Sequence, residues 1–278
     1  MKIMILGSTG AVGTAIEQVC LNRNIDFISY SHKDFDIRDK DKLKFIIEET
    51  NPDIIVNCVA IVGINQCYEN IENSYRINTI SVANLCEIIK DKDIVLIQPS
   101  THTVFNGYNL DYYDEESIPN PINTYGLSKY FSEQIVQMKL HKYYIVRFPT
   151  LFGPRRNENI GFVDKVIKWI EEGRELHIAT DKLDSPSYTI DVANEVINLV
   201  EEKSSYGIYH ITNSGGTSLY ELVKKILEFT NSKNKLIKAK DSDFLTNEPK
   251  SVKTKMKTCK RTPLRKWDEA LISYLNER

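Results

Sequence analysis

The sequence predicts an α/β fold, a doubly wound parallel sheet with a smaller C-terminal lobe. Three observations predict it. Short β-branched runs alternate with helix-length stretches through the first half of the chain. Those runs are apolar at successive positions, as in strands covered by helices on both faces. A glycine-rich turn, Gly7-Ser8-Thr9-Gly10-Ala11-Val12-Gly13, separates the first run from the first helix. Because βαβ crossovers are right-handed, this order winds helices over both faces of one sheet.

The elements follow in order. Lys2 to Leu6 reads as a strand stopped by Gly7, and Ala11 to Arg23 as a helix. Phe27 to Ser31 is a second strand. Asp39 to Thr50 carries Leu43, Ile46 and Ile47 at helical spacing. Asp53 to Asn57 is a near-continuous apolar strand after Pro52. Asn73 to Ile89 reads as a helix, Ile94 to Gln98 as a strand, Tyr125 to His141 as a long helix and Tyr143 to Arg147 as a strand. After Pro149 the rhythm changes. Leu151 to Asn159 is turn-rich, Phe162 to Glu172 and Val192 to Glu202 are helices, and Gly207 to Thr212 is a strand. A Gly-Gly-Thr-Ser turn opens a helix from Leu219 to Thr230, and an amphipathic helix from Leu264 to Leu275 ends the chain. The expected division is a dinucleotide-binding core at 1–150 and a mainly substrate-binding lobe at 151–278. A segment near 184–212 is expected to return to the core.

Composition narrows the class. The chain has 278 residues, 41% hydrophobic and 27% charged, enough to bury a sizeable core. A net charge of −2 sets up no global field toward nucleic acid or membrane. Cys20, Cys58, Cys67, Cys86 and Cys259 are scattered without CxxC spacing, which argues against a disulfide framework or zinc ribbon and suits a reducing cytoplasm. The histidines show no metal-like spacing, so no metal is expected. The apolar start, MKIMIL, is too short for a signal peptide, and no run of about 20 apolar residues offers a membrane span. One local asymmetry stands out: Lys224 to Lys266 holds 14 basic residues against 4 acidic ones. It reads as a solvated face, as the wall of an anion-binding cleft, or as a nucleic-acid surface, the last without any accompanying nucleic-acid module.

The turn at 7–13 has GxxGxxG spacing between a strand and a helix, the context a dinucleotide-binding (Rossmann) turn needs. Gly7 permits the tight turn, Gly10 lets a pyrophosphate approach and Gly13 lets the helix pack closely. Thr9, Ala11 and Val12 complete the cradle, with phosphates at the helix N-terminus. Where an NAD-specific site would carry an acid at the end of the second strand, the chain has Ser31-His32-Lys33. Without a carboxylate to repel a 2′-phosphate, NADPH is favoured and NADH remains possible. Asp36 and Ile37 are expected at the adenine edge, and Cys58, Val59 and Ala60 on the other side of the dinucleotide.

Tyr125-Gly-Leu-Ser-Lys129 puts a phenol and an ammonium on one helix face, about 5–6 Å apart at Cβ. A free phenol has a pKa of about 10. A neighbouring ammonium and an oxidised nicotinamide would favour the phenolate and make Tyr125 a usable proton donor to a carbonyl taking hydride. Lys129 is also expected to hold the nicotinamide ribose. Ser100 and Thr101 follow the fourth strand at the carboxyl end of the sheet, where ligands bind in open α/β folds. Their hydroxyls are candidates to hydrogen-bond the substrate oxygen.

At this point the motifs resemble the extended short-chain dehydrogenase/reductase superfamily, most closely the dTDP-4-dehydrorhamnose reductase family. The resemblance rests on GSTGAVG at 7–13, PDIIVNCVA at 52–60, RIN at 76–78, PSTHTVFNG at 99–107, NPINTYGLSKYFSE at 120–133, VRFPTLFGP at 146–154, DKLDSPSYTIDVA at 181–193 and GIYHITNSGGTSLYEL at 207–222. It covers about residues 1–230 and implies reduction of the 4-keto group of a nucleotide-diphosphate deoxysugar. It implies Thr101, Tyr125 and Lys129 as the catalytic three, Asn78 as a buried asparagine supporting the cofactor side, and Ser100, His102, Val104 and Phe105 near the sugar. Lys182, with the basic tail, is expected to meet the substrate diphosphate. Related enzymes are monomers or dimers, so a homodimer is open.

The chain departs from the family pattern at several points. Ser-Thr-Asp is Ser100-Thr101-His102 here, Asp-Gln-x-Gly-x-Pro-Thr is Asp181-Lys182-Leu183-Asp184-Ser185-Pro186-Ser187, and the expected Arg-Pro of the late substrate loop is not visible around Glu248-Pro249. Two other readings stay open. A nucleotide-sugar 4-epimerase would use the same Tyr and Lys with tightly bound NAD. A non-catalytic regulatory subunit, resembling that of methionine adenosyltransferase, would keep the nucleotide fold. A 4,6-dehydratase would need an Asp-Glu pair where His102-Thr103 stand.

Overall fold

The computed structural model describes residues 1–278 except Leu110 and Asn159. In chain order the first half comprises β1 (Lys2–Leu6), α1 (Ala11–Asn22), β2 (Asp26–Tyr30), α2 (Lys40–Thr50), β3 (Ile54–Asn57), α3 (Ile64–Glu69), α4 (Ile71–Tyr75), a π-helical turn (Arg76–Ile80), α5 (Ser81–Ile89), β4 (Val95–Thr101), a 3-10 turn (His102–Val104), α6 (Thr124–Lys139) and β5 (Tyr143–Phe148). The second half comprises β6 (Leu151–Phe152), α7 (Phe162–Glu171), β7 (Leu176–Ala179), β8 (Leu183–Asp184), β9 (Ser187–Tyr188), α8 (Thr189–Glu201), β10 (Gly207–His210), β11 (Asn213–Ser214), β12 (Thr217–Ser218), α9 (Leu219–Phe229), β13 (Leu236–Ala239), β14 (Leu264–Lys266) and α10 (Trp267–Glu277).

Six strands form one parallel sheet in the order β2-β1-β3-β4-β5-β10. Strand β1 shows why these runs are continuously apolar. Its Ile3 and Ile5 enter the core made with Ala15, Ile16 and Val19 of α1 and Val192 and Val196 of α8. Its Met4 and Leu6 enter the opposite core, with Leu43, Ile46 and Ile47 of α2 and Val82 and Leu85 of α5. Each such buried side chain contributes about 1.5–3 kcal/mol from water exclusion. Thus α8 packs on α1, and β10 pairs with β5, although both come after the lobe has begun.

The lobe has its own core, where Phe152 and Tyr188 meet Val166 of α7, Leu222 and Ile226 of α9, and Leu271 and Tyr274 of α10. Beside it, β7 pairs in parallel with β13.

Several local expectations are corrected. The helix expected over Asn73–Ile89 is broken by the π turn and preceded by α3 and α4. The strand expected to stop at Gln98 runs on to Thr101, because β5 keeps pairing through Thr101–Phe148. The final helix starts at Trp267 instead of Leu264, since Leu264–Lys266 pairs with β11. Within the turn-rich stretch lies β6, while Asn159 is outside the described residues. The β7–β13 pair was not expected at all.

The basic tail is a strap. Arg261 pairs with Glu195 and Glu202, Arg265 with Asp191, and Lys250 with Asp241. Arg261 and Arg265 therefore lie against acids of α8. No helix among the described residues is long and apolar enough to cross a membrane. The five cysteines are free.

Candidate active site

The strand order reverses between β1 and β3, and at such a switch point a crevice opens beyond the carboxyl ends of the strands. The glycine-rich turn packs directly against the backbone of Cys58 and Val59 at the end of β3. Gly7 has φ +79°, and a Cβ there would stand 2.9 Å from the Val59 nitrogen. A Cβ on Gly13 would stand 2.5 Å from the Gly7 carbonyl oxygen. Gly10 is different: its nearest neighbours would be the Gly7 oxygen at 3.6 Å and Asn157 Nδ2 at 4.0 Å, so its outer side is open. The first intrahelical bond of α1 runs from the Thr14 amide to the Gly10 carbonyl, which leaves the amides of Ala11 and Val12 without helical acceptors. The Thr9 carbonyl accepts from the amides of Arg156 and Asn157 at 2.9 and 3.0 Å. Arg156 also donates to the Ser8 carbonyl and to Glu17. Sequence reasoning missed Arg156, because nothing in a turn-rich segment marks it as a brace for a loop so far upstream.

The end of β2 holds a correction. An acid does stand there: Asp34 folds back, and its Oδ2 accepts from the Ser31 amide at 2.6 Å and the Ser31 hydroxyl at 2.8 Å. Those bonds hold its pKa below the ordinary carboxylate value. His32 and Lys33 beside it are exposed. The Asp36 carboxylate, expected at the adenine, is held by Arg38, which reaches on to Asn73. Ile37 is buried in the sheet-side core.

On the far wall, Thr101 ends β4 and Tyr125 begins α6. Asn123 caps that helix by accepting from the Gly126 amide at 2.9 Å. Glu248 pins its first turn from the tail, accepting from the Thr124 amide and hydroxyl at 2.9 and 2.7 Å. The Thr101 hydroxyl accepts from the Thr103 amide at 3.1 Å and lies 2.9 Å from the Thr103 hydroxyl. Burial pushes the Tyr125 phenol up to about 12, with a Thr101 hydrogen bond pulling the other way. This corrects the expectation that the Lys129 ammonium lowers it. Lys129 is itself 3% exposed, and among the described residues its ammonium has no hydrogen-bond partner. Burial lowers it to about 8, against the pull of Glu133, Cys58 and Cys67. Asn78, in the π turn, is fully buried. It accepts from the Ile61 amide at 2.8 Å and donates to the Ile61 carbonyl and to Ser128 of α6. It therefore ties the loop after β3 to the helix that carries Tyr125 and Lys129, while its own amide is engaged.

Three residues expected near the sugar, and Lys182, expected at the diphosphate, have their side chains engaged inside the protein. Ser100 donates to Glu133, which also accepts two bonds from Arg147 at 3.0 and 2.7 Å; this buried triad lies under β4. Val104 and Phe105 are 0% exposed. The 3-10 turn tucks Phe105 against Tyr113, with ring centroids 4.2 Å apart, and under the Arg147 guanidinium. Lys182 donates to the Ser251 carbonyl, which turns its ammonium toward the tail segment of the lobe. His102, by contrast, borders the site next to Thr101. A surface cleft of about 710 Å³ between Gln18, Pro154 and Tyr274 lies apart from these residues.

A helix-borne tyrosine and lysine facing a strand-end threonine, across from a glycine-rich turn at the switch point, define the class: an extended short-chain dehydrogenase/reductase. More narrowly, the chain belongs to the family described as the RmlD substrate binding domain, whose model matches residues 1–278. It is 27% identical to the spore coat polysaccharide biosynthesis protein SpsK of Bacillus subtilis (strain 168), covering 100% of this chain and 98% of that one. Among solved structures it is similar to a dTDP-4-dehydrorhamnose reductase from Bacillus anthracis str. Ames in complex with NADP, with 27% identity, a TM-score of 0.94 and coverage of 100% and 99% of the two chains. A dTDP-4-dehydrorhamnose reductase from Clostridium acetobutylicum ATCC 824 is similar at 27% identity and a TM-score of 0.93, with the same coverage.

Proposed function

We propose that the protein reduces the 4-keto group of a nucleotide-diphosphate deoxysugar with a nicotinamide dinucleotide. The observation that carries this reading is that α6 sets Tyr125, whose phenol meets the Thr101 hydroxyl, and the buried Lys129 one turn apart on the same helix. The residues present fit the dinucleotide. Gly10 is open where a pyrophosphate would approach, and the amides of Ala11 and Val12 lack helical acceptors. The Lys129 ammonium suits a ribose hydroxyl. When bound, the dinucleotide supplies the hydride. Thr101 donates a hydrogen bond to the carbonyl oxygen as charge develops there. Tyr125, which burial keeps protonated at neutral pH, gives that oxygen its proton. Asn78 holds the cofactor-side loop to the catalytic helix. We propose NADPH as the preferred dinucleotide, with exposed Lys33 and His32 at the 2′-phosphate and Asp34 limiting the preference by repulsion. Five free cysteines fit a reducing cytoplasm.

The test is nicotinamide oxidation at 340 nm against 4-keto-6-deoxysugars carrying dTDP, GDP, CDP or UDP, with NADPH and NADH in parallel. Turnover of one member is expected. Tyr125→Phe should lower kcat by about 10²–10⁴-fold while dinucleotide binding is retained. Silence across the panel in a protein that binds dinucleotide would move the assignment to epimerisation or to a regulatory subunit.

A further inference from the structure

Two departures from the family pattern meet in space. His102 stands where the pattern has Asp, and Asp184 where it has Gly; His102 Nδ1 lies 3.5 Å from Asp184 Oδ1. Asp184 is 1% exposed and firmly placed, with the Thr150 amide at 3.2 Å from Oδ2 and the Ser185 amide at 2.8 Å from Oδ1. The imidazole is 8% exposed. Its Nδ1 is sealed from solvent and makes no hydrogen bond among the described residues, with the Asp184 carboxylate facing it at 3.5 Å, whereas Nε2 is not among the sealed, unpartnered atoms. Burial lowers the ring's pKa against the pull of Asp184, and Lys182 adds to the lowering, which favours the neutral imidazole. A carboxylate facing Nδ1 keeps the single proton on that nitrogen. Nε2 is then a lone-pair acceptor, one residue along the chain from the Thr101 hydroxyl.

We infer that His102, oriented by Asp184, is a specificity-determining residue whose Nε2 accepts a hydrogen bond from the sugar hydroxyl next to the carbon being reduced. In a 4-keto-6-deoxypyranose, C5 bears the ring oxygen and the methyl group, so the neighbouring hydroxyl is the one on C3. The substrate class is therefore a 4-keto sugar with a donor retained at C3. This inference rests on the reductase reading. Asp184 acts through His102 as a positioning residue.

The test compares a dTDP-linked 4-keto-6-deoxysugar with its 3-deoxy counterpart. A site built to hydrogen-bond a hydroxyl discriminates strongly against an analogue lacking it, so wild type should prefer the hydroxylated sugar about 100-fold in kcat/KM. His102→Phe should bring that ratio close to one, through a larger loss of kcat/KM on the hydroxylated sugar than on the 3-deoxy sugar. His102→Gln, which retains an acceptor, should restore part of it. Asp184→Asn should also lower the ratio, because either ring nitrogen can then carry the proton. An unchanged ratio in His102→Phe, or an equal loss on both sugars, overturns the inference. If wild type turns over neither sugar, the reductase reading fails by itself. The ratio of equilibrium affinities for the two nucleotide sugars, measured on the Tyr125→Phe protein, then decides the role of His102, and equal affinities overturn it.

Discussion

Replacing Glu133 by Gln should damage stability and catalysis through one charge. Glu133 and Arg147 form an ion pair whose side chains are 0% and 2% exposed, and among the described residues Arg147 Nη1 has no hydrogen-bond partner. Removing the carboxylate charge leaves a guanidinium buried without compensation, which costs about 3–5 kcal/mol. In a chain of this size each kcal/mol moves the thermal midpoint by about 2–4 °C, so Tm should fall by about 6–20 °C in calorimetry. The same carboxylate raises the pKa of Lys129, which stands near 8 with Glu133 in place. A lysine is charged below its pKa, and loss of Glu133 destabilises the charged form. The ammonium is then lost at lower pH, and the alkaline limb of kcat/KM should move toward acid. A double variant, Glu133→Leu with Arg147→Met, removes both buried charges and should recover most of the lost Tm without recovering the limb. A single-variant Tm within about 2 °C of wild type, or an alkaline limb that stays put, would refute the reasoning.

Other perturbations have equally definite outcomes. Gly13→Ala sets a Cβ against the Gly7 carbonyl, a backbone atom with no rotamer to yield, and should lower dinucleotide affinity at least about tenfold by fluorescence titration through a distorted turn. Unchanged affinity would mean that the turn is not the phosphate cradle. Asp34→Asn removes the charge that occupies both Ser31 donors, and should raise the NADPH/NADH ratio of kcat/KM by about 3–10-fold. A ratio that falls would place the 2′-phosphate elsewhere.

The parallel sheet was legible because burial on both faces writes itself into consecutive residues, as in Ile3-Met4-Ile5-Leu6. Tyr125 and Lys129 were legible because helical spacing is local. What escaped depends on contacts distant in sequence. Asp34 is an ordinary exposed acid until the chain turns it onto Ser31. Ser100 and Phe105 follow or precede readable motifs, yet strand twist and a 3-10 turn send their side chains inward to Glu133, Tyr113 and Arg147. The π turn adds a residue to a helical run without altering its composition, and that turn carries Asn78. Leu176–Ala179 and Leu236–Ala239 are too short to signal strands alone; each is a strand because the other is present.

The placement of β10 orders events at the ribosome. Chain synthesis delivers β1 to β5 early, yet the hydrogen-bonding edge of β5 is covered only when Gly207–His210 emerges, and α1 waits as long for α8. Through that interval the nascent sheet carries an open edge on Tyr144 and Val146, the condition under which neighbouring chains pair wrongly. A ribosome stalled between β5 and β10 would hold a polypeptide with its glycine-rich turn already made and its sheet unfinished, and chaperone capture should peak in that window.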